Sequence, residues 1–261
     1  MLAGAALLGP GDNGADAPDA GLTVTAADAT TLATTAEVPT GASSAGRSVV
    51  GFGDSVASAA ICRCTSFVNL YAKRLPGGAG VANYAESGST SSDALDRLAE
   101  SGVAAKVRTA TTALIMTGAN DFEDAFEAVS DGASAPARYG PVAEQVRQNV
   151  IRAVRKIQAL SPHAHVVVLD YWAAMEDGDV AKQDYDDNGI SAATEATDYL
   201  NAALASAAKT TGASFVSTLK AFKGADGKTD PTPLLESDGD HPNAAGHRVI
   251  ADAISAILPR G

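Results

Sequence analysis

The chain contains no run of about eighteen apolar residues, so nothing in it reads as a helix crossing a bilayer. Cysteine is nearly absent, with two in 261 residues, which rules out a disulfide framework and a thiolate-rich metal cluster. Positive charge is short: 19 Lys and Arg stand against 31 Asp and Glu, a net charge of −12. Nucleic acid and anionic membrane would meet like charge and are excluded as partners. Residues 1–46 hold no Lys, Arg or aromatic residue at all. Such a segment buries too little apolar surface to offset its ordering entropy, so 1–46 reads as a flexible leader and 47–261 as one folded domain. Met1 to Leu8 has the look of the end of a signal-peptide apolar region without its basic start. Ala15-Asp16-Ala17 has the small-x-small form of a cleavage site, although Pro18 follows it. Export is therefore expected, and the folded domain is expected to be a monomer.

What is present is ordinary globular composition, 46 % hydrophobic and 19 % charged, in a domain long enough for a sizeable core. Short apolar strand candidates at 48–52, 79–83, 111–117, 164–170 and 213–217 alternate with helical patterns. The helical patterns fall at about 65–75, 91–108, 121–129, 141–160, 191–209 and 243–258. Within 141–160, Val142, Val146, Val150, Val154 and Ile157 form one stripe, and Pro141 suits a first helical turn. Ile250, Ile254 and Ile257 form another stripe, which Pro259 ends. Alternation of this kind predicts an α/β fold, a five-stranded parallel sheet with helices on both faces.

Chemistry-bearing residues gather where strands end, the place where open α/β sheets bind ligands. Gly53-Asp54-Ser55 follows the first strand, and Glu86-Ser87-Gly88-Ser89-Thr90 the second. Gly118-Ala119-Asn120-Asp121 follows the third, and Asp238-Gly239-Asp240-His241-Pro242-Asn243 precedes the last helix. Each alone is compatible with a turn or a cap. A dinucleotide fingerprint fails because Val56 stands where a glycine is needed, and a phosphate loop over 222–229 fails because it begins with Phe222.

Taken in this order, the four blocks resemble the SGNH, or GDSL-type, esterase and lipase superfamily, over about residues 47–258. The absence of a Gly-x-Ser-x-Gly elbow favours this architecture over the larger α/β-hydrolase class. The resemblance implies a three-layer, flavodoxin-like fold and hydrolysis of a small-molecule or glycan ester through an acyl-enzyme. It implies Ser55 as nucleophile, His241 as base and Asp238 as its carboxylate, with Asp240 the competing carboxylate. It also implies an oxyanion hole made of the backbone N–H groups of Ser55 and Gly88 and the side-chain amide of Asn120. The residue types suit the work. A serine hydroxyl needs a neighbouring base, and an imidazole titrates near neutrality. No cofactor and no metal is required. A carbohydrate O-deacetylase would share every one of these residues, and a non-catalytic carbohydrate- or lipid-binding module is the reading from another class.

Three further groups carry separate expectations. Phe52, Tyr171 and Trp172 sit at or just past strand ends, where they either line an acyl pocket or pack in the core. Cys62 and Cys64 form either a tight disulfide in an exported protein or two free thiols. Asp184, Asp186, Asn188 and Glu195 match the calcium-loop pattern Asp-x-Asp-x-Asn-Gly-x₅-Glu, with an acidic solvated loop as the alternative.

Overall fold

Ser48–Gly53 forms β1, and five of its six residues are buried, as a strand covered on both faces requires. In the computed structural model, which describes residues 46–258, β1 pairs with β2 (Gly80–Asn83) on one side and β3 (Thr112–Met116) on the other. Beyond β3 lie β4 (His165–Leu169) and β5 (Ser214–Val216), all pairs being parallel, in the order β2-β1-β3-β4-β5. The expected three-layer α/β/α arrangement and flavodoxin-like strand order are therefore present. The leader and cleavage expectations (apart from Gly46) and the stop at Pro259 lie outside the described residues.

The helices are α1 (Ser55–Ser58), α2 (Phe67–Arg74), α3 (Ser91–Arg97), α4 (Ser101–Val107), α5 (Glu123–Ser130), α6 (Ala135–Leu160), α7 (Gly178–Asp184), α8 (Asp187–Thr211), α9 (Thr218–Lys223) and α10 (Ala244–Ile257). One layer packs α2 against α10, and α10 against α9. The other packs α6 against α3, α5 and α8. Helix α6 begins earlier than the stripe alone predicts. Pro136 takes the first-turn position and leaves Pro141 inside the helix. Val146, Val150, Val154 and Ile157 are buried as expected, whereas Ile257 of α10 is 48 % exposed. The single helix expected over 91–108 is two, α3 and α4.

Gly53 is fixed by crowding. Its φ is +151°, and a Cβ there would lie 1.8 Å from the carbonyl oxygen of Met116 on β3. No side chain fits where these two strands run that close. The order reverses between β1 and β3, so the loops after them open a crevice at the carboxyl edge of the sheet, and Ser55 stands in it.

Candidate active site

The loops after β1, β3 and β4 and the turn before α10 meet around one cavity of about 310 Å³, lined among others by Asp54, Ser55, Asn120, Tyr171, Asp238 and His241. Ser55 is the first residue of α1. Asp54 caps that turn, its Oδ1 accepting from Val56 N–H at 3.0 Å. The N–H of Ser55, like every first-turn N–H, has no acceptor within its own helix.

His241 is carried by a tight turn. Leu235 bridges Pro242, and Glu236 N–H donates to the His241 carbonyl at 2.7 Å. Asn243 locks the turn to α10. Its Oδ1 accepts from Ala245 and Gly246 N–H, and its amide donates to the carbonyls of Pro233 and Leu235. Within the turn, His241 Nδ1 lies 2.9 Å from Asp238 Oδ2, while Asp240 Oδ2 is 3.6 Å from the same nitrogen. Asp238 Oδ1 accepts two backbone N–H groups, from Asp240 and His241. Burial works to raise the Asp238 carboxyl, but these N–H donors and the imidazole hold it below its usual value. Asp240 goes the other way, raised by burial. Asp238 is thus the anion that orients the ring. Ser55 Oγ and the imidazole line the same cavity without a hydrogen bond between them, a contact that commonly closes only with substrate bound.

Asn120 enters from the loop after β3. Its Nδ2 donates to Ser89 O at 2.9 Å, and its neighbour Asp121 accepts from Ser91 N–H and Oγ at 2.7 Å each. These bonds tie the loop after β3 to the loop after β2, which carries Gly88. That second loop hangs on β1, because Ser89 Oγ and Glu86 N–H both donate to Gly53 O. Gly88 has φ +78°, so glycine is required by backbone conformation, and open space surrounds the place of a Cβ. It is not among the residues that line the cavity.

The residues of this site fall within 51–249, the stretch that matches the model of the GDSL-like lipase/acylhydrolase family. The chain belongs to that family. No curated protein matches it. Among solved structures it is similar to the lipase Lip_vut3 from a goat rumen metagenome (TM-score 0.63, 18 % identity, covering 80 % of this chain and 96 % of the other). It is also similar to phospholipase A1 from Streptomyces albidoflavus NA297 (0.60, 19 %, 82 % and 100 %) and to the acetylxylan esterase Axe2 from Geobacillus stearothermophilus (0.57, 20 %, 80 % and 92 %). At such identities the likeness carries the fold: this family member is an α/β/α acyl hydrolase in architecture.

Several expectations need correction. Of the three aromatics, only Tyr171 reaches the cavity. Phe52 is 2 % exposed and stacks on Tyr84, and Trp172 is 1 % exposed and stacks on Phe222 at 4.2 Å between centroids. Phe52 and Trp172 are therefore core residues, because β1 is covered on both faces and Trp172 turns under α9. The calcium loop is also overturned. Asp186 caps α8, accepting from Gly189 N–H at 2.9 Å, which places Asn188 and Glu195 inside the helix. Among the described residues, Asp184, Asp186 and Glu195 do not converge on a common point. Cys62 and Cys64 are joined by a disulfide, so the free-thiol alternative falls.

Sequence reasoning missed Glu123, Met175, Glu176 and Tyr185, which line the cavity, and the role of Asp54. The residues 174–176 follow β4 closely and were findable by the strand-end rule. The Asp54 contact was not. Tyr171 hydroxyl, 117 positions away, donates to Asp54 Oδ2. Burial raises the Asp54 carboxyl to about 7, against the pull of the Tyr171 hydroxyl and Val56 N–H. Between pH about 4 and about 7 the folded chain therefore holds a proton that the unfolded chain has lost, and this group's contribution to stability falls as pH rises through that window. Asp54→Asn keeps a cap oxygen and removes the titration. Its melting temperature should decline less than wild type between pH 5 and pH 8, a difference of a few kcal/mol in stability (~1.4 kcal/mol per pKa unit). Parallel curves for the two proteins would show that Asp54 does not titrate as described.

Proposed function

We propose that this acyl hydrolase is a serine esterase acting on carboxylic esters. The single observation that carries the reading is the His241–Asp238 pair facing the same cavity as Ser55. Ser55 Oγ attacks the ester carbonyl and His241 takes its proton, Asp238 holding the tautomer and steadying the imidazolium. The imidazolium then returns the proton to the leaving alcohol. Water deprotonated by the same ring splits the acyl-enzyme and releases the acid. The tetrahedral oxyanion is met by the N–H of Ser55 and the amide of Asn120, both at the cavity, and Gly88 N–H joins them only if its loop, tied to Asn120 through Ser89, moves inward on substrate. The site asks for no metal or cofactor.

The cavity favours a polar substrate. Glu123, Glu176 and Asp240 line it, no Lys or Arg does, and Tyr171 and Tyr185 stand beside Met175 and small apolar groups in its wall. This supports a second reading within the same chemistry, removal of a short acyl group from a hydroxyl-rich alcohol, as in a carbohydrate O-deacetylase. The disulfide supports an exported enzyme, since such bonds persist in oxidising compartments.

An organophosphonate that mimics the tetrahedral intermediate should add covalently to the peptide carrying Ser55, as mapped by mass spectrometry. Attachment elsewhere, or none, would remove the nucleophile. p-Nitrophenyl acetate should be turned over faster than the octanoate ester, and an acetylated glycan should release acetate. Preference for octanoate with an inert glycan would return the reading to a lipase.

A further inference from the structure

The loop between α1 and α2 holds the Cys62–Cys64 disulfide, with Arg63 between them in the left-handed conformation (φ +49°). The sequence places no histidine near this pair, but the fold does. His247, on α10, stacks on Phe67 and brings a ring nitrogen within 4.8 Å of both sulfurs. Its side chain is almost wholly enclosed, with 1 % of the residue exposed. Phe67 N–H donates to Nδ1 at 3.3 Å. With that lone pair engaged, the neutral ring carries its proton on Nε2. Nε2 is buried and has no hydrogen-bond partner, an unusual condition for a buried donor.

A metal ion does not resolve this. A cation needs a free lone pair, and neither ring nitrogen offers one while Phe67 N–H holds Nδ1. What an orphaned N–H lacks is an acceptor, and a thiolate freed at Cys62 or Cys64, both close to the ring, would supply one on turning toward Nε2.

We propose that Cys62–Cys64 is an exchangeable disulfide, opened by external thiols, with the His247 N–H receiving the sulfur that leaves. A thiolate attacks one sulfur, forming a mixed disulfide as the Cys62–Cys64 bond breaks. The bonding pair goes to the other protein sulfur, which rests as a thiolate against the N–H. A second external thiolate then releases the first as a small-molecule disulfide, leaving both cysteines reduced. Exchange is faster when the leaving sulfur is stabilised as an anion. Closure of so short a loop restrains the unfolded chain little, so opening it costs the fold little stability. Burial first, and then the nearby His241, hold His247 down at about 4, so the ring acts near neutral pH as a hydrogen-bond donor and not as a cation. Arg63, exposed between the cysteines, carries a positive charge beside the pair.

The test reads thiols, so it stands apart from esterase activity. Folded protein treated with millimolar dithiothreitol should take up two iodoacetamide labels. The rate of labelling against pH is then followed in Cys62→Ser and Cys64→Ser. In one of them the remaining thiol should ionise at least about one pH unit below the ordinary ~8.5. His247→Leu, added to that variant, should return it to ~8.5, and His247→Gln, which keeps an N–H donor, should restore part of the shift. Failure of the folded protein to label, both thiols ionising near ~8.5, or a low value that survives His247→Leu would each overturn the proposal. The two serine variants leave His247 in place, so both thiols ionising near ~8.5 would overturn the proposal even if the histidine substitutions fail to fold, and a low value that disappears with Arg63→Gln would overturn it as well.

Discussion

Ser55→Ala is expected to lower kcat on p-nitrophenyl acetate by roughly 10⁶, and His241→Ala by a similar factor, with the double variant little worse than either. The reason is that the two side chains act as one device. A hydroxyl without its base is no nucleophile at neutral pH, and a base without the hydroxyl has only water to activate. Each single loss therefore takes the whole advantage of the pair, and what survives, roughly 10³ over water, comes from the oxyanion donors and from binding. Asp238→Ala should cost less, because Asp240 Oδ2 stands 3.6 Å from His241 Nδ1 and can partly take its place. Multiplying losses in the double variant would mean that Ser55 and His241 serve separate steps. Wild-type turnover by Ser55→Ala would place the nucleophile elsewhere in the cavity.

That Ser55, Asp238 and His241 would gather at one cavity was legible before any coordinates, whereas their surroundings were not, and the physics of the two cases differs. Strands such as Thr112–Met116 are buried along their whole length, so their apolar runs are unambiguous in sequence. The catalytic blocks sit beside those strands and inherit that legibility. Helix α8 begins four residues earlier than the expected 191, because the cap is the side chain of Asp186 inside a run of acidic residues that reads equally well as a loop. Short α7 and α9 carry too few turns to show a period, and both were missed. For Phe52 and Trp172 the sequence left pocket and core both open, because distance from a strand end does not say which face a side chain takes. The contact of Asp54 with Tyr171, and the nearness of His247 to the cysteines, join distant parts of the chain, and no local pattern announces them.

Asn120→Ala should lower kcat by roughly 10²–10³ while leaving KM nearly unchanged. The amide has two hydrogens. One is held by Ser89 O at 2.9 Å, which fixes the plane of the group and leaves the other for the cavity. A donor fixed in advance gains most when the carbonyl oxygen becomes an anion, so its loss falls on the transition state more than on bound substrate. The competing explanation is structural: without the Ser89 bond, the loop carrying Gly88 shifts and the whole hole deteriorates. Stability separates the two. A single exposed-to-part-buried hydrogen bond is worth about 1 kcal/mol, so the variant should melt close to wild type. Asn120→Asp sharpens the distinction, because it keeps the shape but offers an anion to an anion, and it should fall below the alanine variant in kcat. If the aspartate variant instead matched wild type, Asn120 would not face the oxyanion, and the Ser55 and Gly88 N–H groups would have to stabilise it alone.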